Sequence, residues 1–258
     1  MFTSERQSAI LARAKAEGRV LVDALAAEFG VSPQTIRKDL NTLCDARQLV
    51  RVHGGAALAS GIENLEYEAR RTLAADAKAA IGRAAAALIP DGASLFVNIG
   101  TTTEAVAAAL AERAGLMVIT NNINVANRLR THSGIEVIIA GGVVRAADGG
   151  IVGEAAVDFI RQFKVDFAVV GVSAIDADGA LLDFDFREVK VAQAIMANAR
   201  HIILVADATK FDRSAPVRIG HVSQVHSFVT DRCDKPGIRR ICAEHGVRLV
   251  EAEPRAFV

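Results

Sequence analysis

The chain of 258 residues has no tryptophan, one tyrosine (Tyr67), five prolines and three cysteines. Cys44, Cys233 and Cys242 are an odd number with no CxxC pair, which argues against a zinc ribbon or an exported disulfide framework and for reduced cytosolic thiols. Neither sign of charge is in excess: 30 Lys and Arg balance 30 Asp and Glu. That excludes a chain given over wholly to nucleic acid, so any basic surface has to be local. No uncharged apolar run reaches the roughly 18 residues of a membrane span. The start, Met1 to Gln7, lacks the apolar core of a signal peptide. A cytoplasmic protein with no membrane partner is expected. What the chain does have is 51% apolar and 23% charged residues, enough core for two domains.

Residues 1–58 carry eight Lys or Arg against six Asp or Glu, a local excess of two basic charges. Their apolar residues recur at helical spacing: Ile10, Leu11 and Ala14, then Leu21, Leu25 and Phe29, then Ile36, Leu40 and Leu43. Three short helices are predicted. Gly30 supplies a tight turn, Ser32 an N-cap and Pro33 a first helical residue with no N–H to leave unpaired. At 100° per residue Gln34, Arg37, Lys38 and Asn41 share one face and Ile36, Leu40 and Leu43 the other. Arg reads guanine, Gln reads adenine and Lys holds phosphate, so the polar face suits a major groove. An ordinary solvated helix face has the same composition. Asp39 lies toward the packed side and is expected to pair with Arg6 or Arg13, because a carboxylate repels phosphate. Leu49 to Leu58, with Gly54-Gly55 at its centre, signals a hairpin. It reads either as a wing carrying Arg51 and His53 to DNA or as a surface hairpin closing a small core.

From about residue 94 apolar runs alternate with Ala-rich stretches. Strands are predicted at Ser94–Ile99, Leu116–Thr120, Glu136–Ala140, Val165–Val170, His201–Ala206 and Arg248–Glu251. Helices are predicted at Thr102–Glu112, Asn122–Leu129, Glu154–Gln162, Glu188–Asn198 and Pro236–His245. This is the alternation of an open, parallel-rich α/β sheet. Strand ends are where such sheets bind ligands. Asn98-Ile99-Gly100-Thr101-Thr102-Thr103 opens a helix with free N–H groups and hydroxyls suited to a phosphate. Thr101 with Glu104 also spells a capping box, so Glu104 is read as a cap partner. Asn121-Asn122 and Gly141-Gly142 follow two further strands, and Lys210, after a third, can pair with an anion. No Ser-His-Asp order, zinc motif, full Walker loop or GxGxxG is present, and the six histidines are scattered. No catalytic residue, metal ligand or cofactor is assigned.

The run from Arg6 through Ile10 and Ala14 to Ser32-Pro33-Gln34-Thr35-Ile36-Arg37-Lys38-Asp39-Leu40, continued at His53-Gly54-Gly55-Ala56, resembles the helix-turn-helix signature of the DeoR family of bacterial transcription regulators. The second half resembles that family's sensor domain, which is similar to the phosphosugar isomerase fold. The likeness is carried by Thr102 to Ala107, Thr120 to Asn127, Ile139 to Gly142, Asp148 to Ala155, Asp158 to Ile160 and Leu182 to Asp185, and it weakens after about residue 230. Two positions depart from it: Asn98 where many relatives carry aspartate, and Arg187 where a smaller or neutral residue is expected.

The resemblance implies a winged helix-turn-helix over residues 3–58, a linker over 59–74 and a phosphorylated-metabolite sensor over 75–258, which also carries oligomerisation. Operator DNA would be contacted by Ser32, Gln34, Thr35, Arg37, Lys38, Asn41, Arg51 and His53. An effector, glycerol 3-phosphate or a sugar phosphate, would be held by Asn98, Gly100, Thr101, Thr102, Thr103, Asn121, Asn122, Gly141, Gly142 and Lys210. A repressor released by that effector, and a homodimer or homotetramer, are the expectations. The competing reading is an isomerase with an accessory head, for which Glu188 with Lys190 or Lys210 would supply base and donor.

Overall fold

A computed structural model describes residues 3–17, 19–45, 48–52, 54–58 and 67–253. They fall into two compact units, residues 1–63 and 64–258.

The first unit holds helices α1 (Thr3–Glu17), α2 (Val22–Phe29) and α3 (Pro33–Asp45) with strands β1 (Arg19–Leu21), β2 (Leu49–Val52) and β3 (Gly55–Leu58). Ile10 and Ala14 of α1, Leu25 of α2, and Ile36, Leu40 and Leu43 of α3 close on one another as the spacing requires. Leu21 does not join them. It ends β1 and is exposed, and Val22 takes the core place. Strands β2 and β3 form the expected hairpin, from Leu49↔Leu58 to Val52↔Gly55, turning at Gly54 (φ 78°). The third strand, β1, pairs antiparallel with β3 and was not legible, because three residues are too few to show a period. A Cβ on Gly55 would lie 1.9 Å from the Val20 carbonyl oxygen, so β1 can dock only against glycine.

The second unit begins with α4 (Tyr67–Thr72) and α5 (Ala75–Ala86). It continues with β4 (Ser94–Val97), α6 (Thr101–Leu110), β5 (Leu116–Thr120), α7 (Ile123–Leu129), β6 (Ile135–Ile139), β7 (Val143–Val144), β8 (Ile151–Val152) and α8 (Glu154–Ile160). Then come β9 (Val165–Gly171), β10 (Ala174–Ile175), β11 (Ala180–Asp183), α9 (Phe186–Ala197) and β12 (Ala199–Val205). β13 (Val217–His221), β14 (Ser227–Thr230), α10 (Pro236–Glu244) and β15 (Arg248–Glu251) complete it.

The main sheet has seven parallel strands in the order β15-β14-β12-β9-β4-β5-β6. Its pleat sorts two cores. Leu95, Val97, Val118, Val169, Ile203 and Val229 face Ile81, Val106, Leu110 and Val125 of α5, α6 and α7. Phe96, Ile119, Ala168, Leu204 and Phe228 face Val157, Val191, Ile195 and Ile238 of α8, α9 and α10. The parallel-rich α/β reading is borne out.

The expectation was incomplete in four places. Strand β14 was not foreseen, because Ser-Phe-Val-Thr is short and polar at both ends. Helix α5 was not foreseen, because seven of its twelve residues are alanine and leave little amphipathic contrast. Residues 67–72, read as connector, form α4. The excursion β10-β11-β13 makes a second small sheet.

From β4 the chain winds outward through β5 and β6, then returns to β4's other edge at β9 and winds the other way. The reversal between β4 and β9 is the switch point at which an open sheet leaves a crevice past its strand ends.

Candidate functional site

In the first unit the N-terminus of α3 is built as the sequence dictates. Ser32 Oγ accepts from the Thr35 amide (3.2 Å) and lies 2.9 Å from Thr35 Oγ1. Gln34, Arg37, Lys38 and Asn41 are all exposed, and Ile36, Asp39, Leu40 and Leu43 are buried. Arg37 Nη1 donates to Gln34 Oε1 at 3.5 Å, so the two side chains stand together on the open face. Asp39 is 2% exposed and accepts from Arg6 Nε at 2.5 Å and Gln7 Nε2 at 3.2 Å. Of the two candidate partners it takes Arg6. Arg13 pairs with Glu28 at 2.9 Å. The carboxylate thus fastens α3 to α1 and leaves the polar face without an acid. Arg51 stands in β2 opposite Ala56, and His53 lies outside the described residues.

In the second unit the residues expected to meet a ligand fall into two groups. Some are consumed by the fold. Thr103 Oγ1 donates to the carbonyls of Asn98 and Gly100, both 2.7 Å away. Asn122 caps α7 by accepting from the Asn124 amide (2.8 Å) and donates to Glu104 (3.0 Å). Gly141 and Gly142 are exposed at the entry to the β7–β8 hairpin, and Gly142 packs on Ile151.

The Thr101–Glu104 capping box does not form. Gly100, at φ 141°, is the N-cap of α6 and has no side chain to offer. Glu104 instead accepts from Tyr67 Oη (2.6 Å), Asn122 and Asn124 (both 3.0 Å). It is thus a junction between α4, α6 and α7, because a carboxylate with four acceptor sites can serve several donors.

Others are left open. Asn98 and Asn121 are 1% and 0% exposed, and Oδ1 of each lacks a hydrogen-bond partner among the described residues. A buried acceptor left unpaired costs about 1–3 kcal/mol. Thr101 and Thr102 sit in the first turn of α6, half-buried and buried. Lys210 is 9% exposed in the turn Ala208–Asp212 that Asp207 caps. Among the described residues no acceptor meets its ammonium. Burial first, and the Arg213 charge next, push Lys210 down to about 8.

Around Lys210 the fold gathers cations that sequence reasoning missed. Arg213 is half-buried over the Phe184 ring, 5.8 Å from its centroid, with no ion pair among the described residues; burial, then Arg70, lowers its pKa. Lys78 of α5 is buried and donates to the carbonyls of Arg70 and Leu73. Burial also lowers Lys78, which feels Asp207, Arg70 and Glu104. Just before α5, Ala74 holds a left-handed backbone (φ 53°), the one non-glycine residue with positive φ among those described. One signal for Lys78 was available: Lys78, Ile81 and Ala85 are spaced i, i+3, i+7, which puts the ammonium on the apolar stripe.

Alongside this basic cluster lies an acidic one. Arg145, at the start of the β7–β8 turn, donates to Asp148 (2.9 and 2.6 Å), Glu188 (2.6 Å) and Asp185 (3.3 Å). Arg70 reaches Asp148 at 3.4 Å. Burial pushes Asp148 up, but Arg145 outweighs it and holds the carboxyl below its ordinary value. At Glu188 burial wins, helped by Asp183, and the carboxyl rises to about 8. Burial raises Asp183 as well. Arg187, the unexpected arginine, pairs with Asp185 at 2.9 Å and holds it at about 2. Arg145, Ala147, Asp148, Phe184, Asp185, Phe186 and Arg187 line a cleft of about 540 Å3 that opens here.

Comparison with known proteins accounts for both units. Residues 6–61 match the DeoR-like helix-turn-helix domain and residues 73–232 the DeoR C-terminal sensor domain. The chain is 43% identical to the glycerol-3-phosphate regulon repressor of Escherichia coli (strain K12), over 96% of this chain and 99% of that one. It is 46% identical to the protein of the same name from Haemophilus influenzae, over 97% of each. Among solved structures, ribose 5-phosphate isomerase A from Methanocaldococcus jannaschii is similar at 14% identity and a TM-score of 0.41, over 54% of this chain and 55% of that one. The two domain matches and the near full-length identities establish that this chain belongs to the DeoR family.

Proposed function

We propose that the protein is a cytoplasmic DNA-binding transcriptional repressor released from its operator by a phosphorylated three-carbon or sugar metabolite, glycerol 3-phosphate first among them. The observation that carries the effector half is the pair of cations Lys210 and Arg213, neither of which has an ion pair among the described residues although both feel Asp207. Burying two positive groups side by side is costly unless an anion completes the site, and a phosphate dianion meets both. Lys78, Arg70 and the first turn of α6 at Thr101 and Thr102 add donors and a positive helix end. Asn98 adds no negative charge. The DNA half rests on the open α3 face of Gln34, Arg37, Lys38 and Asn41, with Ser32 and Thr35 at the helix start and Arg51 and His53 on the hairpin. A homodimer or homotetramer follows from the need to read two half-sites.

Release is linkage: whatever factor the effector costs the operator, the operator costs the effector. Helix α4, the first element described after the head, supports a route for it. Its Arg70 holds Asp148 and its Tyr67 holds Glu104, so a phosphate competing for Arg70 shifts the end of the connector.

Against an isomerase stand two side-chain commitments. Lys190 is paired with Glu154 at 2.7 Å on the exposed surface, and Glu188 is bound to Arg145. The deciding experiment is a gel shift of the full chain on its upstream DNA, titrated with glycerol 3-phosphate. Retarded DNA freed by micromolar to millimolar effector is expected. A complex indifferent to every phosphorylated metabolite removes the effector reading, and no complex at all removes the DNA reading. With no tryptophan, effector binding is best followed by calorimetry.

A further inference from the structure

The basic cluster around Lys210 passes into the acidic one through Arg70, which joins Asp148 at 3.4 Å. Beyond Asp148 two more carboxyls, Asp183 and Glu188, are over nine-tenths buried. Asp183 accepts from the Phe184 amide at 2.7 Å. Glu188 meets one donor among the described residues, Arg145 Nη2. An ion pair built only for stability would fill more of a carboxylate's four acceptor sites. At the ends of the adjoining strands β4 and β5 stand the two unpartnered buried oxygens, Asn98 Oδ1 and Asn121 Oδ1. The vacant capacity at this end of the crevice is therefore for hydrogen-bond donors, and at the Lys210 end for an anion.

We propose that Asp183 and Glu188, with the Asn98 and Asn121 oxygens, are the specificity determinants of the sensor: they accept hydrogen bonds from the hydroxyl-bearing end of the effector and reject a second anionic group there. The assignment rests on the phosphate reading of the Lys210 cluster given above. A hydroxyl arriving at Glu188 or Asn98 supplies the missing proton. A carboxylate supplies none and meets the charge of Asp148, which Arg145 holds ionised, beside the buried Asp183 and Glu188 pair. Burial and Asp183 already keep Glu188 protonated below about pH 8, so the buried pair is at the limit of the negative charge it can hold and one more negative neighbour is disfavoured. The consequence is a sensor for neutral polyol or sugar monophosphates that excludes phosphorylated carboxylic acids.

The test is calorimetry on the full chain with two ligands differing at one carbon: glycerol 3-phosphate, and 3-phosphoglycerate, in which a carboxylate replaces the terminal CH2OH. Glycerol 3-phosphate should bind at least about tenfold tighter, since juxtaposed like charges are strongly disfavoured. Asp183→Asn, or Asp183→Ser if the first fails to fold, should tighten 3-phosphoglycerate in absolute terms by about tenfold, a gain that misfolding cannot imitate. Equal binding of both ligands by the natural chain overturns the assignment while leaving the phosphate site intact. A natural preference that neither folded variant relaxes also overturns it. If the natural chain binds no phosphorylated compound, the phosphate reading itself fails and this assignment with it.

Discussion

The two units carry their chemistry in opposite ways. In the head, Gln34, Arg37, Lys38 and Asn41 come from eight consecutive residues, stand on one helix face and are open to solvent. In the sensor, Arg70, Lys78, Arg145, Glu188, Lys210 and Arg213 come from some 140 residues of chain and are largely withdrawn from solvent. The face proposed to meet a rigid duplex is displayed and periodic. The site proposed to enclose a small dianion is convergent and dry, and burial is the largest cause of the lowered pKa values of Lys78, Lys210 and Arg213 and of the raised one of Glu188.

The contrast is best tested at its extremes. Lys210→Glu sets a carboxylate where the dianion should sit and should cost effector binding about 2–5 kcal/mol, while operator binding is kept. Calorimetry and a gel shift on one preparation read both, and ordinary induction would place the effector elsewhere. In the head the buried residue should matter for stability and the exposed one for recognition. Asp39→Ala leaves Arg6 buried without its acid and should cost about 3 kcal/mol of head stability, seen as an early thermal transition. A head as stable as before would show that the Arg6–Asp39 pair is incidental.

Arg37→Ala should leave melting alone and lose roughly 1–3 kcal/mol on the operator, with specificity relaxed at one base pair. Equal loss on all sequences would make Arg37 a phosphate contact instead.

The smallest effects are in pH. Lys210, lowered to about 8 among Arg213, Asp207, Lys78 and Arg70, regains a proton when a phosphate arrives. Effector affinity should therefore fall as pH rises through about 8, and a flat profile to pH 9 would remove Lys210 from the site. Glu188 faces Arg145, Asp183 and Asp148 and titrates near 8 instead of its ordinary 4.5. The folded chain then holds a proton that the unfolded one has released, so sensor stability should decline with rising pH between those values. The slope is at most about 1.4 kcal/mol per pH unit. Glu188→Gln should flatten it in chemical denaturation.

Most of the head was legible because its determinants are local. Period 3.6, a turn glycine, an N-cap serine and a Pro at the first helical position act within a dozen residues, and only β1 needed a partner to be seen. Six of the seven main strands were legible as apolar runs. The sensor site was legible only where chemistry sat at a strand end. Lys210 was singled out as a partner for an anion, while Arg145, Asp183 and Arg213, which join the buried charges of the proposed site, were passed over or left without a role. The threonine cluster was read partly amiss, since Thr103 serves its own turn and Glu104 serves three donors instead of a cap.

By itself the sequence determined most of the helices and strands, which face of α3 stays polar and which glycines turn the head, because those depend on neighbours a few residues away. Only the tertiary structure decided which charges meet. Strand order around the β4–β9 reversal brings Arg70, Lys210, Arg213 and Asp183 to one crevice from distant places in the chain. Burial there, unpredictable from any one segment, withholds the water that would have made Lys210, Arg213 and Asp183 ordinary.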